Sequence, residues 1–281
     1  MQDYIKNNTY VPTKLTKEDI VVIKPEMYER IKIDPLHPSY AHAKEDFSHS
    51  YFKYPYLPLY LGDYEIDIKD VSQSVLRLMI RENNENGNIY LPKQFIVFKD
   101  LILENINYHR QYYEINKDAF IYLTVRSCTY DELFYKNSQS WHIDGFQGSR
   151  IKRHIIEQDI FWCNTSPTDF LLQPMFCEGL DPSRFDINDF FEKNAKDNFK
   201  VSAKEKGVYL VTPYNIHRVN LSPFKGKRVF VRLNFSPVLI EDHTNTINPL
   251  LDKYSFEKRR DVRDFLRSSQ INEIEDSGFI F

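Results

Sequence analysis

Cysteine, glycine and long apolar runs are all scarce in this chain, and each scarcity excludes a class of protein. The 281 residues include three dispersed cysteines and eight glycines. An odd, dispersed set of cysteines supports neither a disulfide framework nor a cysteine-rich zinc site, and it favours a reducing compartment. The sequence has no run of about 18 apolar residues, so we expect no membrane span.

Targeting signals and strong net charge are also lacking. Residues 1–6 do not contain the apolar core of a signal peptide, so we expect a soluble cytoplasmic protein. The net charge of −3 gives no global reason to expect nucleic acid or an anionic membrane as partner. A local basic patch still leaves nucleic acid open as a partner.

What the chain does have is apolar and aromatic residues in quantity. The hydrophobic fraction is 42% and the aromatic fraction 15%, enough for a sizeable core. No internal repeat and no low-complexity segment divides the sequence. We therefore predict a single domain over 1–281, in which 1–93 is an N-terminal arm and helix, 94–240 is the core and 241–281 is a helical segment.

Short β-rich runs separated by turn residues dominate the chain from residue 94 onward. Apolar patterns of this length are typical of strands. The candidate strands are 94–98, 119–128, 141–145, 155–164, 170–175, 207–212, 217–221 and 228–239. Many short strands indicate a sandwich or barrel rather than a βαβ fold. We predict a mainly β protein with a double-stranded β-helix (jelly-roll, cupin-like) core and flanking helices.

Three segments have the 3.6-residue apolar periodicity of helices. In the clearest, 70–85, Val75 and Leu78 belong to a stripe on one face. The other two segments are 186–196 and 255–267. We expect these helices to pack on the outside of the β core.

The heptapeptide SWHIDGF at 140–146 is the strongest candidate for a functional motif. It places His142 and Asp144 two residues apart. In a strand, side chains at i and i+2 project from the same face. An imidazole and a carboxylate directed at one spot suit a divalent first-row metal.

A second histidine and two arginines follow at strand-like positions. His217 lies 73 residues after Asp144 and would complete a 2-His-1-carboxylate triad. Arg228 and Arg232 fall on one face of the predicted strand that follows. Taken singly, the three ligand candidates have structural explanations: a surface histidine, a capping aspartate and a histidine at the core edge. Two inward arginines require anionic partners, because a buried unpaired charge is costly.

The set of His142, Asp144, His217 and an arginine 11 residues later resembles the Fe(II)/2-oxoglutarate-dependent oxygenases. The likeness covers residues 120 to 240. The spacing to the arginine is similar to that of the branches that include the phytanoyl-CoA hydroxylases. The resemblance implies a jelly-roll dioxygenase that hydroxylates a C–H bond and releases succinate and CO2. The cofactors that it implies are Fe(II), 2-oxoglutarate as cosubstrate, and O2.

The resemblance also assigns roles to individual residues. His142, Asp144 and His217 would bind the iron. Arg228 is our first candidate for the distal carboxylate of 2-oxoglutarate, because a guanidinium matches a carboxylate with two parallel hydrogen bonds. Arg232 would then bind substrate or assist, although the two roles could be reversed. Since related halogenases have a small residue in place of the aspartate, Asp144 favours hydroxylation over halogenation.

Basic residues near the metal motif are candidates for substrate binding. Arg150, Lys152 and Arg153 follow Asp144 closely, in a segment that would lie at the mouth of the barrel. Three cations beside the iron favour an anionic substrate that carries phosphate or carboxylate. Arg126 is a further candidate. The alternative for the basic segment is an ordinary solvated loop.

Other interpretations of the same residues stay open. The chain could be a different metal-dependent enzyme of the cupin kind, or a catalytically silent jelly-roll binding module. Arg232 could pair with a structural carboxylate such as Asp159 or Glu157 instead of a ligand. Anaerobic titration with Fe(II) and 2-oxoglutarate separates the first function class from the other two.

Overall fold

The structure, a computed structural model, is mainly β and contains antiparallel sheets with two α-helices. The predicted β-rich class is therefore confirmed. The structure describes residues 13–24, 48–83, 87–112, 119–131, 140–144, 158–180, 187–220, 222–236, 239–240 and 245–251. In this part of the chain no helix has the length and apolar character needed to cross a bilayer.

Regular structure in the described residues comprises eleven strands, two α-helices and several short 3-10 helices. The strands are β1 (Ile20–Ile23), β2 (Leu59–Asp63), β3 (Val75–Arg81), β4 (Ile89–Pro92), β5 (Phe120–Cys128), β6 (Gln158–Cys163), β7 (Asp169–Leu171), β8 (Lys200–Ser202), β9 (Gly207–Val211), β10 (His217–Arg218) and β11 (Arg228–Ser236). The α-helices are α1 (Lys99–Tyr112) and α2 (Ile187–Asn194). The 3-10 helices are Lys17–Asp19, His49–Lys53, Lys93–Phe98 and Asp197–Phe199.

The largest sheet has six antiparallel strands in the order β2-β9-β6-β11-β5-β3. Strand β11 pairs with β5 over its whole length, from Arg228 opposite Cys128 to Ser236 opposite Phe120. Its other edge pairs with β6. Because β11 is held on both edges, its register is fixed, and a slip of one residue would reverse both of its faces.

The two faces of the six-stranded sheet differ in character. Val231 and Leu233 of β11 belong to the main apolar cluster, to which α1 contributes Leu101. Phe230 and Arg232 project from the opposite face, as the strand period of two requires. The sheet is therefore packed against α1 on one side, and its other side is available for a polar site.

A second sheet of three strands, in the order β10-β7-β8, faces that other side. His217 of β10 is paired with Phe170 of β7. The ring of Phe170 lies 5.9 Å from the ring of Phe161 on β6, measured between centroids. A smaller two-stranded sheet pairs β1 with β4. Of the candidate site residues, Asp144, His217 and Arg232 line the space between the three-stranded and six-stranded sheets.

The helix predicted at 70–85 is wrong, because this segment contains edge strand β3. Between Val75 and Leu78 the register shows one residue more on β3 than on β5. Arg77 lies in this β-bulge with a φ of 42°. The bulge places two buried side chains three residues apart on a strand. Their spacing imitates the stripe of an amphipathic helix.

The strand predicted at 94–98 is also wrong, because these residues form a 3-10 helix that leads into α1. Phe95 and Phe98 are both buried, as residues i and i+3 of a 3-10 turn lie on one side. Helix α1 itself is absent from the sequence predictions. Its buried face contains Leu101 and Ile106 in the main apolar cluster.

Most of the remaining element predictions are confirmed. Strands β5, β6, β7, β9, β10 and β11 lie within or within one residue of their predicted segments, and α2 lies in the predicted helix 186–196. Segment 141–145 is not a regular strand, but His142 makes an isolated β-bridge. The predicted helix 255–267 lies outside the described residues. The division of the chain at residues 93 and 240 stays a prediction.

Candidate metal centre

The candidate metal site lies where the segment around His142 meets β10. The N–H of His142 donates to the carbonyl oxygen of His217 at 2.9 Å, and the N–H of His217 donates back at 2.8 Å. These bonds form an antiparallel bridge, in which facing side chains lie on the same side of the ladder. The two imidazole rings therefore lie side by side, with their centroids 4.5 Å apart.

His142 and Asp144 alternate with two buried apolar residues. Trp141 and Ile143 pack in a second apolar cluster that includes Phe191 of α2. Because successive side chains of an extended segment point to opposite sides, this burial directs His142 and Asp144 the other way. The two candidate ligands share a face, as their spacing predicts.

The donor atoms of the triad are close enough to hold one ion. One donor atom from each of His142, Asp144 and His217 lies within 4.8 Å of the others. Nε2 of His217 is 3.6 Å from Oδ2 of Asp144. Two ligands bound at about 2.1 Å to one ion are at most about 4.2 Å apart, so the distance between His217 and Asp144 fits a shared ion. Two imidazoles and one carboxylate suit Fe(II).

Hydrogen bonds behind each ring select the tautomer that a metal requires. Nδ1 of His142 lies 2.9 Å from the carbonyl oxygen of Ser140, and Nδ1 of His217 lies 2.9 Å from that of Asn215. A carbonyl oxygen only accepts, so each Nδ1 carries a proton. In the neutral rings the lone pair is then on Nε2, which faces the site.

The two histidines differ in proton affinity. Burial and the neighbouring His217 lower the pKa of His142 to about 4. Burial acts in the same direction on His217, but the hydrogen bond and charge of Asp144 outweigh it and raise the pKa above its ordinary value. His142 is thus neutral at pH 7, whereas His217 keeps its proton to a higher pH than an ordinary histidine and can bind a metal through Nε2 only in its neutral form.

Arg232 of β11 reaches the same carboxylate. Its Nη1 donates to Oδ2 of Asp144 at 2.6 Å and lies 3.6 Å from Oδ2 of Asp159. Desolvation acts to raise the pKa of Asp144, but the Arg232 guanidinium and His217 hold that pKa well below its ordinary value. The proposed pair of Arg232 with Asp159 is therefore present, as part of an arrangement that includes the candidate ligand.

Asp159 is itself held in place from β11. Its Oδ1 accepts from Nδ2 of Asn234 at 2.7 Å, and the two residues are opposite each other in the sheet. Strands β6 and β11 therefore supply a chain of contacts that runs from the buried Asn234 and Asp159 through Arg232 to the half-exposed Asp144. Ligating carboxylates in metal sites usually have hydrogen-bonded support of this kind.

A cleft with about 460 Å³ of empty space, part of it open to solvent, lies between the two sheets. Asp144, His217 and Arg232 line it together with aromatic side chains. The ring of Phe161 is 5.8 Å from the ring of Phe230, measured between centroids, and the two rings are stacked. The cleft thus combines an apolar wall with two of the three candidate metal ligands, Asp144 and His217, and with the guanidinium of Arg232.

Arg228 is the first residue of β11 and does not itself line the cleft. It is 3% exposed, and its Nε donates to the carbonyl oxygen of Ser166 at 2.9 Å. Its Cζ lies 5.3 Å from the ring centroid of Phe230, which does line the cleft. Within the described part of the chain, Arg228 has no carboxylate partner.

The other predicted site residues do not join this arrangement. Arg126 is exposed on β5, opposite Phe230, and does not line the cleft. Arg150, Lys152 and Arg153 lie outside the described residues. Of the predicted site residues, the structure brings together His142, Asp144, His217 and Arg232.

Sequence reasoning missed several residues that shape the site. Phe161 lies two residues after Asp159 on β6, so strand alternation could have placed its ring on the same face. Asn188 and Glu192 of α2 contact the backbone of the segment around His142. No local sequence pattern predicts those two contacts, since they join elements that are far apart in the chain.

Comparison with known proteins does not assign a family. No family model matches the chain, and a search of curated proteins gives no match.

Proposed function

We propose that this protein is an Fe(II)- and 2-oxoglutarate-dependent dioxygenase that hydroxylates a C–H bond of an anionic substrate, with release of succinate and CO2. The observation that carries the proposal is the convergence of His142, Asp144 and His217 beside a cleft between two sheets. The resemblance of their spacing, with Arg228, to the oxygenases points to the same chemistry.

The proposal extends to the fold, for which we propose a double-stranded β-helix core. Its support is the pair of antiparallel sheets, of six and three strands, that face each other across the cleft. Jelly rolls consist of two such sheets. In this arrangement the metal ligands belong to the smaller sheet and its bridge partner, and the arginines belong to the larger one.

The chain's own residues would bind the metal and leave one side of it accessible. His142 and His217 would bind through Nε2 and Asp144 through a carboxylate oxygen. Iron bound there supplies the activation of O2 that oxidation of a C–H bond requires. Phe161 and Phe230 provide an apolar wall beside this position. Cosubstrate and substrate would approach through the cleft.

Arg228 supports the choice of an anionic cosubstrate. A buried guanidinium without a carboxylate partner among the described residues is costly unless an anion reaches it. The charge of Arg232 is already compensated by Asp144 and Asp159. These contacts favour Arg228 for the distal carboxylate of 2-oxoglutarate and Arg232 as support for Asp144.

One contact favours a second candidate, a catalytically silent binding module. The guanidinium of Arg232 compensates the charge of Asp144. An ion pair of this kind can be a purely structural feature of a sheet. A silent module would bind neither Fe(II) at the triad nor 2-oxoglutarate, so the same experiment separates the two candidates.

Anaerobic titration of the protein with Fe(II) and 2-oxoglutarate tests the proposal. We expect a weak visible charge-transfer band when both are present, and slow succinate release once O2 is admitted. In His142→Ala, Asp144→Ala and His217→Ala, we expect both signals to disappear while circular dichroism stays that of the parent.

Asp67→Ala is the matched control, because this aspartate is exposed and its ion pair is with Lys69 alone among the described residues. We expect it to keep both signals. Absence of the band in the parent protein would favour the silent module. Full 2-oxoglutarate turnover by His142→Ala would reject the triad.

A further inference from the structure

Side chains of α2 hold the backbone N–H groups on both sides of His142. The N–H of Trp141 donates to Oε2 of Glu192 at 2.7 Å, and the N–H of Ile143 donates to Oδ1 of Asn188 at 2.9 Å. The N–H of His142 lies between them and donates to β10. Since N–H groups alternate in direction along an extended chain, the segment has a hydrogen-bonding partner on each edge.

The spacing of the two acceptors on the helix matches the spacing of the two donors. Trp141 and Ile143 are two residues apart, which in an extended chain is about 6.6 Å. Asn188 and Glu192 are four residues apart on α2, which along a helix is about 6 Å. One face of α2 therefore presents two acceptors whose separation is close to that of alternate N–H groups in a strand. The helix takes the place of a neighbouring strand at this edge.

Apolar contacts fix α2 independently of these hydrogen bonds. Ile187 and Phe191 are buried in the second apolar cluster, and the ring of Phe191 lies 5.1 Å from the ring of Phe52. Each polar acceptor follows one of these apolar anchors by one residue. The helix thus presents Asn188 and Glu192 to the segment from an anchored position.

We propose that Asn188 and Glu192 are positioning residues of the candidate metal site, an inference that rests on the proposed metal-binding function. They set the backbone on either side of His142 and so fix the directions of His142 and Asp144. If both side chains are removed, the two hydrogen bonds between His142 and His217 are the backbone hydrogen bonds described above that still hold this segment. The separation between the donor atoms would then vary, and the metal affinity would fall.

Amide hydrogen exchange tests the backbone part of this proposal without any metal. In Asn188→Ala we expect the Ile143 amide to exchange about fivefold faster or more, since one hydrogen bond is lost. In Glu192→Ala we expect the same for the Trp141 amide. Asn188→Asp and Glu192→Gln keep an acceptor oxygen and should restore slow exchange. Unchanged exchange at both amides in the alanine variants would overturn the proposal.

Titration with Co(II), followed by its visible absorption, tests the consequence for the metal site. We expect the double variant Asn188→Ala/Glu192→Ala to bind Co(II) about tenfold more weakly than the parent. Loss of a residue that supports a metal ligand without touching the metal typically lowers metal affinity by about 10-fold to 100-fold. The variants that keep an acceptor should bind as the parent does. Both alanine substitutions leave the apolar anchors of α2 in place, so the helix should stay docked.

Phe191→Leu is the matched control, because it weakens the anchoring of α2 and keeps both acceptors. We expect it to lower the melting temperature and to leave the Co(II) affinity unchanged. Equal weakening of Co(II) binding by Phe191→Leu and the double variant would overturn the positioning role. A parent that binds no Co(II) would overturn the proposed function as well, whereas parent-like binding by the double variant would overturn this inference alone.

Discussion

Asp144 interacts with two different basic side chains through one oxygen atom. Oδ2 accepts from Arg232 at 2.6 Å and lies 3.6 Å from Nε2 of His217. A carboxylate has a second oxygen and several lone pairs, so an ion and Arg232 can share it. Supporting hydrogen bonds to ligating carboxylates are common in metal sites. The same contact that holds Asp144 without a metal can therefore orient it when a metal binds.

At Arg228 we expect a substitution to affect the cosubstrate more than the metal. Arg228→Lys replaces a bidentate fork by a point charge, so the Kd for 2-oxoglutarate should rise at least about tenfold, or about 1.4 kcal/mol. Iron affinity should change less. Arg232→Lys is the comparison, and a larger loss of 2-oxoglutarate binding in that variant would show that the two arginine roles are swapped. Calorimetric titration measures both affinities.

The pH dependence of metal binding should be governed by His217. Its pKa is raised above the ordinary value, so below that pKa a metal must displace a proton from His217 in order to bind. As pH falls below that pKa, we expect Co(II) affinity to drop about tenfold per pH unit. His142, with a pKa of about 4, should contribute only in acid.

The same two groups predict opposite effects on the stability of the metal-free fold. A raised pKa at His217 stabilises the fold below the unfolded value, and this contribution is lost as pH rises through the raised pKa. A lowered pKa at His142 stabilises the fold above the unfolded value, and this contribution is lost as pH falls toward about 4.

Co(II) affinity that does not change between pH 5.5 and 7.5 would contradict the role assigned to His217 in metal binding.

Among the elements, β11 links the apolar core to the site. Leu233 is 2% exposed on the face that packs in the main cluster, and Arg232 projects from the other face. We expect Leu233→Ala to lower the free energy of unfolding by about 2–5 kcal/mol, as large-to-small core substitutions do. Urea denaturation measures this loss.

A matched substitution on an exposed strand separates core packing from strand propensity. Val201→Ala on β8, where the side chain is 37% exposed, should change the free energy of unfolding by no more than about 0.5 kcal/mol. Equal losses in the two variants would contradict the assignment of the core to the α1 face of the sheet.

The elements that could be predicted from the sequence are those with one regular period. Strands β5 and β11 follow strand alternation or continuous apolar runs, and α2 has a clean helical stripe. Strand β3 could not be predicted in this way, because the bulge at Arg77 shifts its buried positions from a period of two to a spacing of three. The pattern then favours a helix although the hydrogen bonds are those of a strand.

The candidate site was predictable to the extent that local spacing controls it. His142 and Asp144 share a face because they are two residues apart. Long-range pairing places His217 opposite His142, and only the structure shows that bridge. The arginine assignment stays a prediction. The contacts of Asn188 and Glu192 depend on how α2 docks, which no short sequence pattern determines.

The cleft lies between the two sheets, and a substrate of the proposed enzyme would reach the site through it. The chain carries a net charge of −3, so attraction of an anionic substrate requires a local cationic surface. The basic residues Arg150, Lys152 and Arg153 follow the metal motif and are our candidates for that surface. Steering by such charges weakens with salt, because the Debye length falls from about 10 Å at 0.1 M to about 3 Å at 1 M.

Once a substrate is found, we expect kcat/KM to fall as salt is added. We expect it to fall also in Arg150→Ala/Arg153→Ala, while uncoupled 2-oxoglutarate decay changes less. Arg126→Ala provides a comparison with an exposed arginine outside the cleft. A neutral preferred substrate, or an unchanged kcat/KM in the double variant, would leave 150–153 as an ordinary solvated loop.

The proposed function requires that His142, Asp144 and His217 bind one metal ion. Anaerobic equilibrium dialysis against Fe(II), followed by elemental analysis, measures this directly. We expect one ion per chain in the parent, and loss of that ion in each of the three alanine variants while their fold is retained. Retention of one ion with parent affinity by His142→Ala would contradict the claim.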